Sequence, residues 1–146
     1  MADRRSDRKS SDPHAIRSIA VTVDDVVTAL EANASADRGA VLRVTPPFSG
    51  RMRARIHVAS VDGSYEGEAE PIHLDPATLI EAVPTYPTAD ETAAEQPTSE
   101  ADLETRRKRH TERVEAWRET VRDRLRERIS VDQPAGSLDV RLIALG

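Results

Sequence analysis

The sequence predicts an α+β fold: an antiparallel sheet of about four strands packed against two or three helices, including a long C-terminal helix followed by a final strand. Three observations point there. Residues 51–60 alternate apolar and polar with a period of two, as a half-buried strand does. Residues 102–128 carry an apolar stripe of His110, Val114, Trp117, Val121 and Leu125, spaced by three or four residues as on one helix face. The length, 146 residues, suits a single domain, here expected over residues 18–146.

The elements follow in chain order. Residues 1–17 are polar and rich in Ser, Arg and Asp, and are expected to form a disordered tail. Thr22, with Asp25 three residues later, resembles a capping box that opens a helix. Val23, Val26, Val27 and Leu30 then share one helical face. Asn33 to Gly39 ends this helix and leads to a strand over residues 40–45. The Pro46–Gly50 stretch must be a loop, because proline cannot donate to a strand ladder. In residues 51–58, Met52, Ala54, Ile56 and Val58 point one way and Arg51, Arg53, Arg55 and His57 the other. Asp62-Gly63 is a two-residue hairpin signal. Residues 65–74 return as the next strand, with Pro71 pointing to an edge position or a bulge. Asp75-Pro76 reads as the N-cap and first position of a short helix over 77–83. Residues 84–102 are acidic, rich in Pro and Thr, and read as a flexible loop. The long helix follows, with Glu–Arg pairs such as Glu115–Arg118 and Glu119–Arg122 on its polar face. Residues 138–145 form the last strand. In this arrangement Met52, Ala54, Ile56 and Val58 should face Trp117, Val121 and Leu125.

Composition removes several function classes. With no cysteine, the chain has no disulfide, thiolate zinc site or thiol nucleophile. No stretch approaches the ~18 apolar residues of a membrane helix, and the first residues are charged with no apolar h-region, so no secretory signal is expected and the location is read as cytoplasmic. The chain has 26 acids against 21 basic residues, of which only Lys9 and Lys108 are lysine. An acidic, lysine-poor surface stays hydrated in concentrated salt, which points to a halophilic protein.

Charge is strongly segregated. Residues 43–57 hold four arginines and no acid, whereas residues 60–102 hold eleven acids and no Lys or Arg. If Asp62-Gly63 makes the hairpin, Arg55 faces Glu70, His57 faces Glu68 and Ala59 faces Glu66, a self-neutralised solvent face. If residues 46–50 make a five-residue loop, Thr45 faces Arg51 and Arg43 faces Arg53. Like charges directly opposite destabilise a sheet, and an anion bridging Arg43, Arg51 and Arg53 relieves the repulsion. The planar guanidinium fork binds carboxylate or phosphate in a bidentate manner. Ser49 and the Gly50 amide add donors, and Phe48 offers a stacking surface. The candidate anion or partner site is therefore Arg43, Arg51, Arg53, Arg55, Phe48, Ser49 and Gly50. The acidic 84–102 segment, folded back onto the stripe, is one candidate partner.

Other chemistry has little support. The hairpin register separates His57 from His73 by five residues, or ~16 Å, too far to share a metal. His110 lies on the apolar stripe and reads as a packing histidine; His14 lies in the tail. Ser49 lacks a nucleophile-elbow context, and Asp24-Asp25 reads as helix capping. No catalytic residue, metal or cofactor is assigned. In the long helix, Arg106-Arg107-Lys108-Arg109 is offset by interleaved acids and reads as a solvated face.

The segments V-T-V-D-D-V-V-T-A-L-E-A, V-L-R-V-T-P-P-F-S-G-R-M-R-A-R-I-H-V and E-P-I-H-L, with the closing W-R-E-x-V helix, resemble an uncharacterised haloarchaeal protein family. The resemblance spans about residues 21–146, and P-P-F-S-G-R-M-R-A-R is its most specific part. It implies a halophilic, cytoplasmic protein and carries no activity, cofactor or catalytic residue.

The function expected is a non-catalytic binding or regulatory module whose arginine-rich hairpin face binds an anionic ligand or protein partner. The alternatives are nucleic-acid association through the same arginines, discouraged by the acidic overall balance, an enzyme acting on a small anionic substrate, and an assembly role. The oligomeric state is not set by the sequence.

Overall fold

The computed structural model describes residues 10–58, 70–94, 103–134 and 136–146. Strand β1 (Ser18–Thr22) points Ile19 and Val21 into the core. Thr22 closes the strand and caps helix α1 (Val23–Ala36): its hydroxyl accepts the Asp25 amide at 3.3 Å, the capping role expected from the sequence. Val26, Val27, Ala29 and Leu30 form the buried face of α1. The helix ends in left-handed backbone at Asp37 (φ 48°), and Gly39 (φ 66°) follows with the positive φ that glycine adopts at little cost. Asn33 fixes the exit by donating to the Ala40 carbonyl at 2.9 Å and accepting the Ala40 amide at 2.6 Å.

Strand β2 (Ala40–Val44) follows, then the loop with a cis Pro46-Pro47 bond, then β3 (Arg51–Arg53), β4 (Arg55–Val58) and β5 (Ile72–Leu74). Asp75 caps a single 3-10 turn, Pro76–Leu79, shorter than the helix expected over 77–83. Helix α2 (Ala89–Ala94), the long α3 (Leu103–Asp123), β6 (Arg128–Val131) and β7 (Leu138–Leu145) complete the chain.

The class is α+β as expected, but the strands form two sheets rather than one antiparallel sheet. A mixed sheet runs β3-β1-β7-β6, with β1 parallel to both β3 and β7 and β6 antiparallel to β7; an antiparallel sheet runs β4-β2-β5. The division falls at Ala54. Its side chain is fully buried, and its amide donates to the Ala20 carbonyl at 2.9 Å. The run 51–58 therefore changes partners halfway, from β1 to β2. Alternation reports which face a residue occupies, not which strand lies beside it, so one continuous strand was the natural expectation.

Three further expectations change. Residues from Ser10 onward belong to the fold: Ser10 and Phe48 exchange two backbone hydrogen bonds of 2.6 Å, and Ile16 is buried. Residues 84–94 are not a bare loop. The Trp117 indole donates to the Pro84 carbonyl at 2.9 Å and meets the Tyr86 ring edge-on at 4.9 Å, and α2 lies on α3. Finally, α3 packs on α1 and α2, so Trp117 and Val121 do not pair with the 52–58 stripe, whose Val58 is exposed. The helix stops at Asp123, and Leu125 forms an antiparallel bridge with Ile80.

A polar cluster holds α1 to α3. Arg118 grips the Glu31 carboxylate with two N–H groups at 2.7 and 2.9 Å, and the Tyr86 hydroxyl donates to the same carboxylate at 3.0 Å. The Arg118 guanidinium holds the Glu31 carboxyl below its ordinary range, outweighing burial, while burial and the Glu31 charge raise the Tyr86 hydroxyl. Arg122 joins α3 to the exposed Asp24 at 2.8 Å.

Candidate anion site

Strand β2 lies at the middle of the three-stranded sheet and sets the site. Its alternation sends Ala40, Leu42 and Val44 to the core and Val41 and Arg43 outward. Arg43 stands opposite Arg55 on one side and His73 on the other, and His57 stands opposite Val41. One sheet face thus collects Arg43, Arg55, His57 and His73. Arg55 and His73 are exposed; Arg43 and His57 are half-buried.

The registers expected from the sequence are corrected here. Arg55 faces Arg43, not Glu70, because β5 pairs with the far edge of β2 rather than with β4. The proposed His57–Glu68 and Ala59–Glu66 pairs, and the Asp62-Gly63 turn, lie outside the described residues. Arg53 and Arg51 pair with Ala20 and Ser18 of β1, not with Arg43 and Thr45. The like-charge confrontation is real but belongs to Arg43 and Arg55.

His57 and His73 are not ~16 Å apart, the figure a simple hairpin gives. Their rings stack with centroids 5.8 Å apart and planes 20° from parallel. An Arg43 terminal nitrogen lies 3.3 Å from His57 Nδ1. A guanidinium only donates, so Nδ1 is the acceptor and the neutral His57 ring carries its proton on Nε2. Partial desolvation of the imidazole pushes His73 below the ordinary 6.5, exposed though the residue is, and the Arg43 charge acts in the same direction.

A cleft of about 300 Å³ opens beside this pair, lined by Arg43, Arg53, Arg55 and His57 over a floor of Thr45, Met52 and Ile56. Among the described residues no carboxylate lines it. Its inventory is therefore three guanidinium groups, an imidazole N–H and a hydroxyl, an array of donors suited to a carboxylate or phosphate.

Three of the seven residues singled out in the sequence meet in this cleft: Arg43, Arg53 and Arg55. Arg51 is exposed on β3 and is not part of the lining. Phe48 is fully buried, which removes it as a stacking surface for a ligand; apolar area drives it into the core. Ser49 is engaged locally, its hydroxyl donating to the Arg51 carbonyl at 2.9 Å. The Gly50 carbonyl accepts the amides of Arg17 and Ser18 at 2.8 and 2.9 Å, anchoring the entry to β1. His57 was the residue missed, because the hairpin register assigned it a glutamate partner.

His110 bonds to the buried Thr92 at 3.2 Å, consistent with a packing role between α3 and α2, and His14 sits by Asp12 at 3.3 Å. Among the described residues no group of three or more His, Asp or Glu side chains is arranged to hold a metal ion. No helix among them is long and apolar enough to cross a membrane.

No curated protein and no solved structure matches the chain. A family model does match, over residues 5–146, and the chain therefore belongs to the domain family of unknown function DUF8009.

Proposed function

We propose that this protein is a non-catalytic binding module that takes an anionic group into the cleft beside the His57–His73 stack. The observation that carries this reading is the convergence of Arg43, Arg53, Arg55 and His57 on one cleft of about 300 Å³. Arg43 and Arg55 stand directly opposite each other in the ladder, and an anion between two such cations lowers their mutual repulsion. Arg53 and Arg55 are exposed, so their guanidinium groups meet a partner without unfolding the sheet.

An enzyme acting on a small anionic substrate is the second reading, favoured by a half-buried histidine in the cleft. It ranks below binding because His57 Nδ1 accepts from Arg43, which leaves an N–H donor rather than a base at Nε2. Nucleic-acid association ranks lower still. Phe48 offers no stacking surface, and the chain carries a net charge of −5. Its 19 arginines against two lysines support a salt-loaded, haloarchaeal cytoplasm as the setting, where screening lengths of ~3 Å weaken simple phosphate attraction.

Titration calorimetry with inorganic phosphate and with a short acidic peptide tests the reading. Arg53→Gln with Arg55→Gln should weaken binding about tenfold or more, each lost charge-assisted contact contributing ~1.5–3 kcal/mol, with thermal stability nearly unchanged. Equal affinity in wild type and variant sinks the proposal.

A further inference from the structure

We propose that the open edge of β5 receives an extended, arginine- or lysine-bearing segment of a partner protein, which joins the three-stranded sheet as a further strand. The site is separate from the anion cleft and does not rest on it.

The strand order is the first observation. Strand β2 lies between β4 and β5, so β5 has one side committed to β2 and the other open. Outside that ladder, no backbone hydrogen bond engages Ile72, His73 or Leu74 among the described residues. An unpaired strand edge presents a row of N–H and C=O groups that an extended chain can complete.

The second observation is a groove of about 760 Å³ along this strand. Residues 70–75 line it without a gap, a run of ~20 Å in extended backbone. Ile72 and Leu74 send their side chains to the core, while Glu70, His73 and Asp75 are exposed along the run. Ser130 and Val131 of β6, itself the edge of the mixed sheet, also line the groove. One edge strand from each sheet thus contributes to its walls, a shape that fits an extended chain better than a compact ligand.

The lining sets the charge of the occupant. Asp12, Glu70, Asp75 and Asp132 line the groove, and among the described residues no Lys or Arg does. Asp12 and Asp75 cap their own turns, while Glu70 and Asp132 are exposed. In an extended segment alternate side chains share one face, so basic residues at every second position can meet carboxylates while the backbone pairs with β5. Main-chain hydrogen bonds supply the affinity in this mode of recognition. The complex should therefore persist in concentrated salt, where screening to ~3 Å weakens the charge pairs alone.

Fluorescence anisotropy of the full chain with a labelled short peptide of alternating valine and arginine, at low and at about 1 M salt, is the test. The peptide should bind in both. N-methylation of alternate residues, which removes amide donors and keeps the charge, should weaken binding about tenfold or more. Glutamate in place of arginine in the peptide, or Glu70→Lys with Asp132→Lys in the protein, should weaken it at low salt. Arg53→Gln with Arg55→Gln should leave it unchanged, which separates this site from the anion cleft. No binding, equal binding of the methylated peptide, or an affinity indifferent to the charge changes overturns the proposal. So does a concentration-dependent dimer of the chain that the peptide fails to dissociate, which gives the edge to a second copy.

Discussion

His57 and His73 stack at 5.8 Å although their strands, β4 and β5, are not neighbours. Strand β2 lies between them, and its Arg43 stands opposite His73 while holding His57 Nδ1 at 3.3 Å. The middle strand thus supplies the cation that orders the imidazole pair. This relationship fixes the His57 tautomer and defines one wall of the arginine cleft.

The first prediction concerns acid stability. The folded state holds His73 below its ordinary 6.5, mainly through partial desolvation, with the Arg43 charge acting in the same direction. As pH falls through 6.5, the unfolded chain binds a proton that the folded chain resists, so stability declines from that point toward the lowered folded value. Denaturant titrations across this range should show the decline. His73→Asn should remove its upper part, leaving a flatter profile between neutral pH and about pH 5.

A lower window belongs to Glu31. Its carboxyl is held down by Arg118, so its contribution is complete above the ordinary 4.5 and is lost as pH falls through the lowered value. Glu31→Gln should destabilise the protein by about 1–2 kcal/mol at neutral pH, toward the low end because Arg118 and Glu31 remain 33% and 22% exposed. The same substitution should flatten the profile below pH 4.5 and leave the window near 6.5 unchanged. Thermal melts across pH provide the check.

Phe48 separates packing from binding. It is fully buried in the loop before β3, so Phe48→Ala should lower stability by about 3–5 kcal/mol. Phosphate affinity of the fraction that stays folded should change little. A selective loss of affinity with full stability would return Phe48 to the ligand side.

How much of this was legible in the sequence varies by element. The Thr22 cap, the Asp75 cap, the α3 stripe and the final strand rest on local chemistry, and local chemistry is written in the chain. The change of sheet at Ala54 was not legible, because residues 51–58 alternate correctly for either partner. Strand β1 was hidden for a related reason: Ile19 and Val21 sit just before a capped helix, and the helical signal dominated that stretch. Strand β6 merged with the end of the long helix in the same way. The arginine segment was recognisable from charge alone. The participation of His57 depended on strand order, which a hairpin assumption placed wrongly.

The central claim, an anion in the cleft beside the imidazole pair, is tested most directly by the ring signals of the four histidines during a phosphate titration monitored by nuclear magnetic resonance. His57 lines the cleft and His73 stacks on it, whereas His110 packs between helices and His14 sits by Asp12. The account expects saturable shifts at His57 and His73, with His14 and His110 unmoved, and their loss in the Arg53→Gln, Arg55→Gln variant. Uniform shifts at all four histidines, or none at His57, would contradict it.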